Sequence, residues 1–527
     1  MNALRTDFPV TAEVERIGRA IAAAGGRPIL VGGWVRDCLL GHPHSKDFDI
    51  EVFALSTKAL QQVLSAFGPL HTVGRHFGVL KLSTRAAEYD ISVPRRESKI
   101  GKGHREFEVV ADPGMSFEQA AARRDFTINS IGYAFLERET LDPFDGQGDL
   151  RRRVLRHTGP AFGEDPLRVL RAMQFAGRFG MTIAEETIRI CREQDLSELP
   201  HERIWEEFRK LLLHSDRPAH GLHYAGPLGV LPYFPELDAL ARLGELSVAS
   251  ERFDAWRRTL AVVDRAALQR ATPHRGSHGG PGEAPPRPTL QPGHDGHGQG
   301  GHGQGGQGQG QDKGNPMRGH PDKSNMVLML AALTHLIGAP ALARSAAPAA
   351  SPIDPADLCQ AAQAPLAGLM ERLTREHGVT DQVWALLRDL PAPERLHARA
   401  LASDAAGVDA EIRRLALRVP IPALLRLARA RHEAAHAGAR QPAGMEPSPA
   451  YTAGDWLAAR ARNLGVYDRP PVPFLKGRHL LELGLRPGPD MGRILDAGFE
   501  QQLAGALASL DDALRWADRE IRARQGA

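Results

Sequence analysis

The sequence has few cysteines and no long apolar run, and these absences restrict the class of protein. Its three cysteines, Cys38, Cys191 and Cys359, lie far apart, which excludes a disulfide framework and a CxxC metal clip. No run of about 18 uninterrupted apolar residues is present. The first ten residues carry charges at Arg5 and Asp7, where a signal peptide needs apolar side chains. We therefore expect a cytoplasmic protein without a membrane partner.

The overall composition is that of a multidomain globular protein. A chain of 527 residues is long enough for about three or four domains. Hydrophobic residues make up 42% of the chain and charged residues 24%, which excludes a wholly disordered chain. The net charge of +3 is too small to indicate a nucleic-acid partner by itself, so the local distribution of charge must decide.

The composition changes along the chain, and these changes predict the domains. Residues 273–325 contain little besides glycine, histidine, glutamine and proline, so they cannot bury a core and we predict a disordered linker. Before it, residues 28–155 alternate short β-like runs with one helical pattern at residues 57–67, whereas a helical period begins at Asp165. We predict a head at residues 1–150, a helical neck and body at 151–272, the linker at 273–325, and a helical C-terminal domain at 326–527.

Two glycines, Gly32 and Gly33, lie between a predicted strand and a predicted helix. Glycine lets a backbone approach a phosphate closely, and the start of a helix offers unbonded N–H groups to an anion. Arg36 would add a fork of donors to the same anion. The same turn is also compatible with a tight connection that has only a structural role.

Asp47 and Asp49 lie two residues apart on the next predicted strand, so their carboxylates project from one face of it. Neighbouring carboxylates repel each other unless a cation neutralises them, and Mg²⁺ binds one or two carboxylates together with water and phosphate oxygens. We therefore predict that both aspartates bind magnesium. Asp90, on a later strand, is either a third catalytic carboxylate or an ordinary edge-strand aspartate.

Five motifs in one order resemble the class II tRNA nucleotidyltransferases and bacterial poly(A) polymerases, a family whose head is similar to DNA polymerase β. They read Gly32-Gly33-x-Val35-Arg36-Asp37, Asp47-x-Asp49, Arg123-Arg124-Asp125-Phe126-Thr127-Ile128-Asn129, Asp142-Pro143-Phe144-Asp145-Gly146 and Glu164-Asp165-Pro166-Leu167-Arg168-Val169-Leu170-Arg171. Residues 477–489 look like the tail of members with an extra helical domain. The resemblance implies an α+β protein, with a polymerase-β-like nucleotidyltransferase head followed by an all-helical neck, body and tail.

The resemblance also implies roles for individual residues. Asp47 and Asp49 match the magnesium ligands. The residues implied to bind the nucleotide are Gly32, Gly33, Arg36, Arg124, Asp125, Asn129, Asp165, Arg168 and Arg171. Within this set, Gly33 and Arg36 match positions that hold the triphosphate, and Asp125 and Asn129 are placed to bond ribose hydroxyls. A purely structural helix start at Asp125 is an alternative. Gln174 stands where many relatives carry arginine, so that contact is in doubt.

Asp165 and Arg168 match the residues that read the edge of the base. Three residues apart on a helix, a carboxylate and a guanidinium share one face, where they can accept from an exocyclic amine and donate to a ring nitrogen or carbonyl. Cytosine and adenine both present an amine beside an acceptor, so one protein surface can accept CTP and ATP. The alternative is an ordinary ion pair at the start of a helix.

A basic segment at residues 95–105 resembles the flexible loop that this family uses in adding the terminal adenosine. By chemistry alone it is a phosphate-contacting loop or a solvated turn. Its basic residues, which we predict to bind RNA, are Arg95, Arg96, Lys99, Lys102 and Arg105. Positive charge at Arg151, Arg152, Arg153 and Arg156 adds to this, and together they suggest contact with a tRNA acceptor stem through backbone and 2′-hydroxyl groups.

The motifs predict an enzyme that adds or repairs the 3′-terminal CCA of tRNA from CTP and ATP with Mg²⁺, without a nucleic-acid template. The alternative is a poly(A) polymerase, which shares these motifs; His76, where poly(A) polymerases usually carry a second basic residue, favours CCA addition. A catalytically dead RNA-binding protein is a further alternative. Near His335, Leu336 replaces the aspartate of an HD phosphohydrolase pair, so we predict a degenerate HD-like C-terminal domain.

Overall fold

The computed structural model describes residue 4 and residues 8–41, 48–73, 79–85, 87–99, 107–248, 251–270, 321–345, 353–402, 405–436 and 450–525. The predicted linker lies almost entirely outside the described residues. Its predicted end at residue 325 falls inside a helix that begins at Pro321. The helix starts earlier than composition suggested because Pro321 and four polar residues, 322–325, precede its apolar stretch.

The head contains a seven-stranded mixed sheet in the order β3-β4-β5-β2-β1-β8-β9. All four strands predicted from the sequence are present, as is the helix predicted at residues 57–67, which ends at Leu64. The strands of the sheet are β1 (Arg27–Val31), β2 (Phe48–Phe53), β3 (Leu70–Val73), β4 (Val79–Ser83), β5 (Glu88–Ser92), β8 (Gly132–Ala134) and β9 (Glu139–Leu141). Three two-stranded sheets are formed by β6 (Arg95–Lys99) with β7 (Phe107–Ala111), by β10 (Val154–Leu155) with β11 (Thr182–Ile183), and by β12 (Glu245–Val248) with β13 (Glu251–Asp254).

Alternation along β2 decides which side chains reach solvent. Phe48, Ile50 and Val52 are buried in the head core, so Asp49 and Glu51 project from the opposite face.

The basic segment predicted as a flexible loop differs from expectation in its first half. Arg95–Lys99 forms strand β6, which pairs antiparallel with Phe107–Ala111. Composition alone did not indicate this two-stranded ribbon, because its strands are paired across residues 100–106.

Helices make up the rest of the chain. They are α1 (Ala12–Ala23), α2 (Gly33–Leu39), α3 (Thr57–Leu64), α4 (Phe117–Ala121), α5 (Gly146–Arg152), α6 (Leu167–Phe179), α7 (Glu185–Arg192), α8 (His201–His214), α9 (Pro218–His223), α10 (Pro235–Arg242), α11 (Ala255–Leu268), α12 (Pro321–Thr334), α13 (Ala339–Ser345), α14 (Pro355–Leu373), α15 (Val379–Asp389), α16 (Ala392–Leu401), α17 (Ala405–Arg418), α18 (Ile421–His436), α19 (Thr452–Asn463), α20 (Gly477–Glu482), α21 (Pro489–Ala504) and α22 (Leu510–Gln525). Short 3₁₀ turns occur at Thr127–Asn129, Pro160–Glu164 and Leu231–Tyr233.

The C-terminal helices are divided between two hydrophobic cores. One large core runs from Phe8 to Val466 and includes α12, which packs against α8, α11, α15 and α18. A separate core joins α20, α21 and α22. Among the described residues, the helical stretch Asp322–Arg344 is long and apolar enough to span a membrane, but 83% of its apolar window is buried inside the protein. It is therefore a core helix of this fold.

Arg426 of α18 joins the two helices that flank residues 271–320. Its guanidinium donates to the Gln269 carbonyl at 3.5 Å, to Asn325 Oδ1 at 3.4 Å and to Ser324 Oγ at 3.1 Å. Burial lowers the pKa of this guanidinium. The end of α11 and the first turn of α12 are thus held by one side chain.

Candidate active site

The glycine turn lies directly against a carboxylate. Gly32 has φ 74° and ψ −139°, a conformation that side-chain-bearing residues rarely adopt. A β-carbon at this position would lie 3.2 Å from Asp49 Oδ2 and 3.5 Å from Arg124 Nη1. The close approach follows from the register, because β1 and β2 pair Val31 with Asp49. Because Gly32 has no side chain, there is room for the Asp49 carboxylate beside the start of α2.

Asp49 and Asp90 lie opposite each other on neighbouring strands. The parallel pairing of β2 and β5 matches these two residues. Asp90 Oδ1 is buried without a hydrogen-bond partner in the described part of the chain, and the nearest cation, Lys81 Nζ, is 3.8 Å away. Asp47, the other predicted magnesium ligand, lies outside the described residues.

These carboxylates fit the needs of a hard divalent cation. Within the described ranges, no group of three or more His, Cys, Asp or Glu side chains is placed to enclose a metal. Mg²⁺ does not need such a cage, because it keeps several waters and takes its remaining ligands from one or two carboxylates and substrate phosphates. The buried, unbonded oxygen of Asp90 beside the exposed Asp49 is the kind of donor set that such an ion completes.

A cleft of about 300 Å³ beside these strands is lined mainly by arginines: Arg95, Arg123, Arg124 and Arg168, together with Glu51. Arg124 donates to Glu51 Oε2 at 3.1 Å, and Arg123 reaches Glu164 at 3.2 Å. Three of the four arginines were predicted as nucleotide or RNA contacts. Arg123 and Glu51 were not, although Glu51 could have been found from its position two residues after Asp49, on the same strand face.

Arg168 is fixed by the backbone on two sides. Its guanidinium donates to the carbonyl oxygens of Ala161 at 2.6 Å and Arg123 at 2.8 Å. Asp165 accepts from the backbone N–H of Leu167 at 3.1 Å and from Arg203 at 2.8 Å. The predicted base-reading pair therefore shares the start of α6, and each member has its own protein partners. Arg203, which lies 38 residues further along the chain, had no signal in the sequence.

A buried polar network lies between the head and α6. Arg36 donates to Asn129 Oδ1 at 2.6 Å, and Asn129 Nδ2 donates to Asp125 Oδ1 at 2.9 Å. Arg171 binds Asp125 Oδ2 through two nitrogens, at 2.8 and 2.6 Å. Burial alone would raise the pKa of Asp125, but Arg171 and Asn129 hold it below its usual value.

The network changes the interpretation of Arg36 and Asn129, which the resemblance implied to be nucleotide contacts. The Arg36 side chain is only 5% exposed, is paired with Asp37 and lies over the ring of Phe179 at 4.5 Å. Burial lowers its pKa, against the opposing effect of Asp37. Direct contact with a phosphate would require the guanidinium to leave these partners. The side chain of Gln174, one turn beyond Arg171, is also buried, and its Nε2 has no partner in the described ranges.

The residues predicted to bind RNA are dispersed. Arg95 lines the cleft, whereas Arg96 is paired with Asp112 at 2.6 Å. Lys99 ends strand β6, and Lys102 and Arg105 lie outside the described residues.

At the predicted HD-like position, His335 is buried and burial lowers its pKa to about 4, while its Nδ1 lies 2.9 Å from the Ala332 carbonyl oxygen. The degenerate HD-like assignment stays a prediction.

Comparison with known families supports the interpretation of the head. Residues 29–156 match the family described as poly A polymerase head domain, and residues 180–240 match one described as a probable RNA and SrmB-binding site of polymerase A. The resemblance to this family inferred from the five motifs is confirmed by these matches, which cover residues 29–156 and 180–240.

Two curated relatives share the N-terminal part of the chain. The "Multifunctional CCA protein" of Stenotrophomonas maltophilia is 44% identical over 221 residues, which is 40% of this chain and 52% of that protein. The protein of the same name in Neisseria gonorrhoeae is 37% identical over 278 residues, or 51% of this chain and 65% of that protein. The chain thus spans between about half and two thirds of the length of these relatives.

Solved structures extend the likeness over the whole chain. A CCA-adding enzyme in complex with CTP has a TM-score of 0.56 at 16% identity, covering 99% of this chain and 100% of that one. The Bacillus stearothermophilus CCA-adding enzyme, also with CTP, has a TM-score of 0.55 at 19% identity, covering 98% and 100%. At this identity the likeness shows the fold, and the predicted α+β class with a helical remainder is confirmed.

Proposed function

We propose that this chain is a tRNA nucleotidyltransferase, which adds or repairs the 3′-terminal CCA of tRNA from CTP and ATP in the cytoplasm. The observation that carries the proposal is the Gly32 turn packed against Asp49, beside a cleft lined by four arginines. Arg124 connects the two features, because it lines the cleft and its Nη1 lies 3.5 Å from where a β-carbon at Gly32 would be. A turn suited to an anion, a carboxylate suited to a cation and several guanidinium groups are therefore neighbours, which supports the proposal. The relatives named "Multifunctional CCA protein" support CCA addition over other uses of the head.

The protein groups have separate roles in this reaction. Asp49, with Asp47 and Asp90, would hold magnesium; the chemistry that such a cation supplies is activation of the attacking oxygen and stabilisation of the leaving one. Arg124 lies beside Asp49 and can hold a triphosphate oxygen in place of Glu51. The RNA 3′ hydroxyl loses its proton to water and its oxygen forms a bond to the α-phosphorus. The bond from the α-phosphorus to the oxygen that bridges to the β-phosphate breaks, and pyrophosphate leaves with that electron pair.

Selection of the base is proposed to depend on Arg168 and Asp165. Arg168 lines the cleft and is held by two carbonyl oxygens, so its orientation is fixed before a nucleotide enters. A prepositioned guanidinium loses little freedom when it donates to an acceptor on the base. Asp165 would exchange its partly exposed ion pair with Arg203 for the exocyclic amine of cytosine or adenine.

The proposal is tested by supplying tRNA that lacks CCA with labelled CTP and ATP and sequencing the products. We expect two cytidines and one adenosine. Asp49→Asn should reduce incorporation by more than about 100-fold, because even loss of a group that only supports a metal ligand can cost that much. Glu139→Gln, an exposed carboxylate on strand β9, is the matched control and should keep wild-type activity.

Other products would support the alternatives. Long adenosine tails on RNA that need no CTP would identify a poly(A) polymerase. RNA binding without any incorporation, with the fold confirmed by circular dichroism, would identify a catalytically dead RNA-binding protein. Normal incorporation by Asp49→Asn would refute the site itself.

A further inference from the structure

Another cavity lies at the C-terminal end of α2 and has a concentration of positive charge. Its volume is about 490 Å³, and five arginines line it: Arg151, Arg152, Arg153, Arg178 and Arg217. We call it the arginine groove. Asp216 is its one acidic lining residue, and its floor is apolar, with Leu39 and Phe179 among the contributors. A surface of this composition is suited to an extended anion.

The fold brings these arginines together from three segments. The triplet Arg151–Arg153 ends α5, and the Thr182 N–H donates to the Arg153 carbonyl at 2.9 Å, which fixes the triplet against the end of α6. Arg178 belongs to the last turn of α6, and Arg217 precedes α9. The sequence shows only the triplet, because the other two arginines are separated from it by more than 20 residues.

Two of the five guanidinium groups, those of Arg151 and Arg153, form no ion pair within 4.0 Å among the described residues, although Arg151 still feels the Asp145 carboxylate at longer range. Arg152 is bonded to Asp145 at 2.8 Å, Arg178 lies 3.8 Å from Asp37, and Arg217 lies 3.5 Å from Asp264. In the described part of the chain, no carboxylate lies within 4.0 Å of Arg151 or Arg153. Arg153 makes only a long contact, 3.4 Å, to the carbonyl oxygen of Phe179. Of the five arginines in the groove, the exposed Arg151 and Arg153 therefore have the positive charges that are least neutralised by carboxylates of the protein.

Arg156, just beyond the triplet, does not take part. Its guanidinium pairs with Asp149 and with Glu186, so it is committed to the protein. The groove is therefore defined by where the chain places each arginine and not by the basic stretch 151–156 as a whole. Asp149 is itself buried and bonded to Thr127 at 2.8 Å, which anchors this side of the groove to the head.

The groove lies within reach of a substrate whose end is in the cleft. Helix α2 begins immediately after Gly32, at the glycine turn, and its last residue, Leu39, lines the groove. Seven helical residues span about 10 Å. Successive phosphates of a strand in a duplex are about 3.4 Å apart along the axis. A strand with its end at Asp49 would therefore have phosphates at the distance of the groove within a few nucleotides.

We propose that the arginine groove binds the sugar-phosphate backbone of the RNA substrate a few nucleotides from its 3′ end. This inference rests on the proposed function, because it assumes an RNA whose end enters the cleft. Contacts from exposed arginines to phosphates position a nucleic acid without reading its sequence, which suits an enzyme that must accept every tRNA. Arg151 and Arg153 provide the principal phosphate contacts.

The test compares two double variants that each remove two exposed arginines. The groove variant, Arg151→Ala with Arg153→Ala, removes the two groove arginines that form no ion pair. The control variant is Arg19→Ala with Arg242→Ala, whose side chains are 75% and 74% exposed on other helices. The dissociation constant for tRNA lacking CCA is measured without nucleotide between 50 and 200 mM salt. The groove variant should lower the salt slope by about one per residue, so that its loss of affinity over this range is roughly tenfold smaller than that of wild type.

A salt slope for the groove variant equal to that of the control would overturn the inference. Thermal unfolding checks that both variants fold, and the single change Arg151→Gln gives a milder variant with an expected slope change of about one. The inference and the proposed function fail separately. If wild type incorporates nucleotides but the groove variant has the same salt slope as the control, only the inference about the arginine groove is refuted. If the groove variant has a lower salt slope but wild type incorporates no nucleotide, the proposed activity is refuted and the RNA-binding role of the groove is retained.

Discussion

Replacing Gly32 by alanine tests the feature on which the site depends. The backbone at Gly32, with φ 74° and ψ −139°, is in a region that is essentially restricted to glycine, and forcing another residue into it costs about 1–3 kcal/mol. The added methyl group would also lie 3.2 Å from Asp49 Oδ2 and 3.5 Å from Arg124 Nη1. The first contact is tight, so either the turn or the Asp49 carboxylate must move by a few tenths of an ångström.

Such a movement affects activity as well as stability. Displacements approaching 1 Å at a reacting centre can reduce rates by about 100-fold. We therefore expect Gly32→Ala to lower the free energy of unfolding by about 1–3 kcal/mol and to lower CMP incorporation by roughly 10- to 100-fold. Urea unfolding followed by circular dichroism measures the first, and incorporation of labelled CTP into tRNA lacking CCA measures the second.

The neighbouring glycine provides the control. Gly33 is the first residue of α2 and does not have a positive φ, and a β-carbon there would meet only Arg36 Nη2 at an ordinary 3.5 Å. Gly33→Ala should leave stability unchanged or raise it by up to about 1 kcal/mol. If Gly32→Ala were as stable and as active as wild type, or if both alanines destabilised the protein equally, the reasoning about the turn would be wrong.

Three further predictions concern the base, the buried network and the C-terminal helices. Arg168→Ala should reduce the ratio of kcat/KM for CTP over UTP by roughly 10-fold or more; an unchanged ratio would assign base reading to another group. Arg171→Ala leaves Asp125 charged and buried, and should cost about 3 kcal/mol in urea unfolding at pH 7. Because Arg171 holds the pKa of Asp125 below its usual value despite burial, the stabilisation by this ion pair is present above about pH 4 and is lost as pH falls through the folded pKa. A deficit for Arg171→Ala that does not shrink at any pH below about 4 would contradict this reasoning. Burial lowers the pKa of His335 to about 4, so stability should be complete above pH 6.5 and fall by roughly 3 kcal/mol between pH 6.5 and pH 4. His335→Leu should remove this dependence and the exposed His377→Leu should retain it; parallel pH profiles of thermal unfolding for the two variants would refute the assignment.

Local patterns predicted the strands that carry the candidate active site. The two-residue spacing of Asp47 and Asp49 predicted that both project from one face of a strand. In the structure Asp49 lies on the face of β2 opposite the buried Phe48, Ile50 and Val52, whereas Asp47 lies outside the described residues. The pairing of Asp49 with Asp90 was a matter of sheet order, since β5 inserts next to β2 after two intervening strands. No pattern within either strand carries that information, so Asp90 was left between two interpretations.

Residues that act through long-range contacts were harder to predict. Arg36 and Asn129 are 93 residues apart, and nothing in either motif shows that they bond to each other. The resemblance implied that both contact the nucleotide, but a motif records which residues occur and not which of them are buried. Burial follows from the packing of α6 and the rings of Phe175 and Phe179 over Arg36, and that packing is tertiary.

Because Arg426 contacts both helix ends and α11 packs directly on α12, we expect these helices to associate without the covalent link between them. Both helices belong to one core and share this guanidinium, so the ends that residues 271–320 connect are already held side by side. Lengthening a connection between fixed ends adds only about 0.6 kcal/mol of closure entropy for each doubling. We therefore expect the fold to tolerate large changes in the length and composition of residues 271–320. Fragments 1–270 and 321–527 should also reassemble when they are expressed together.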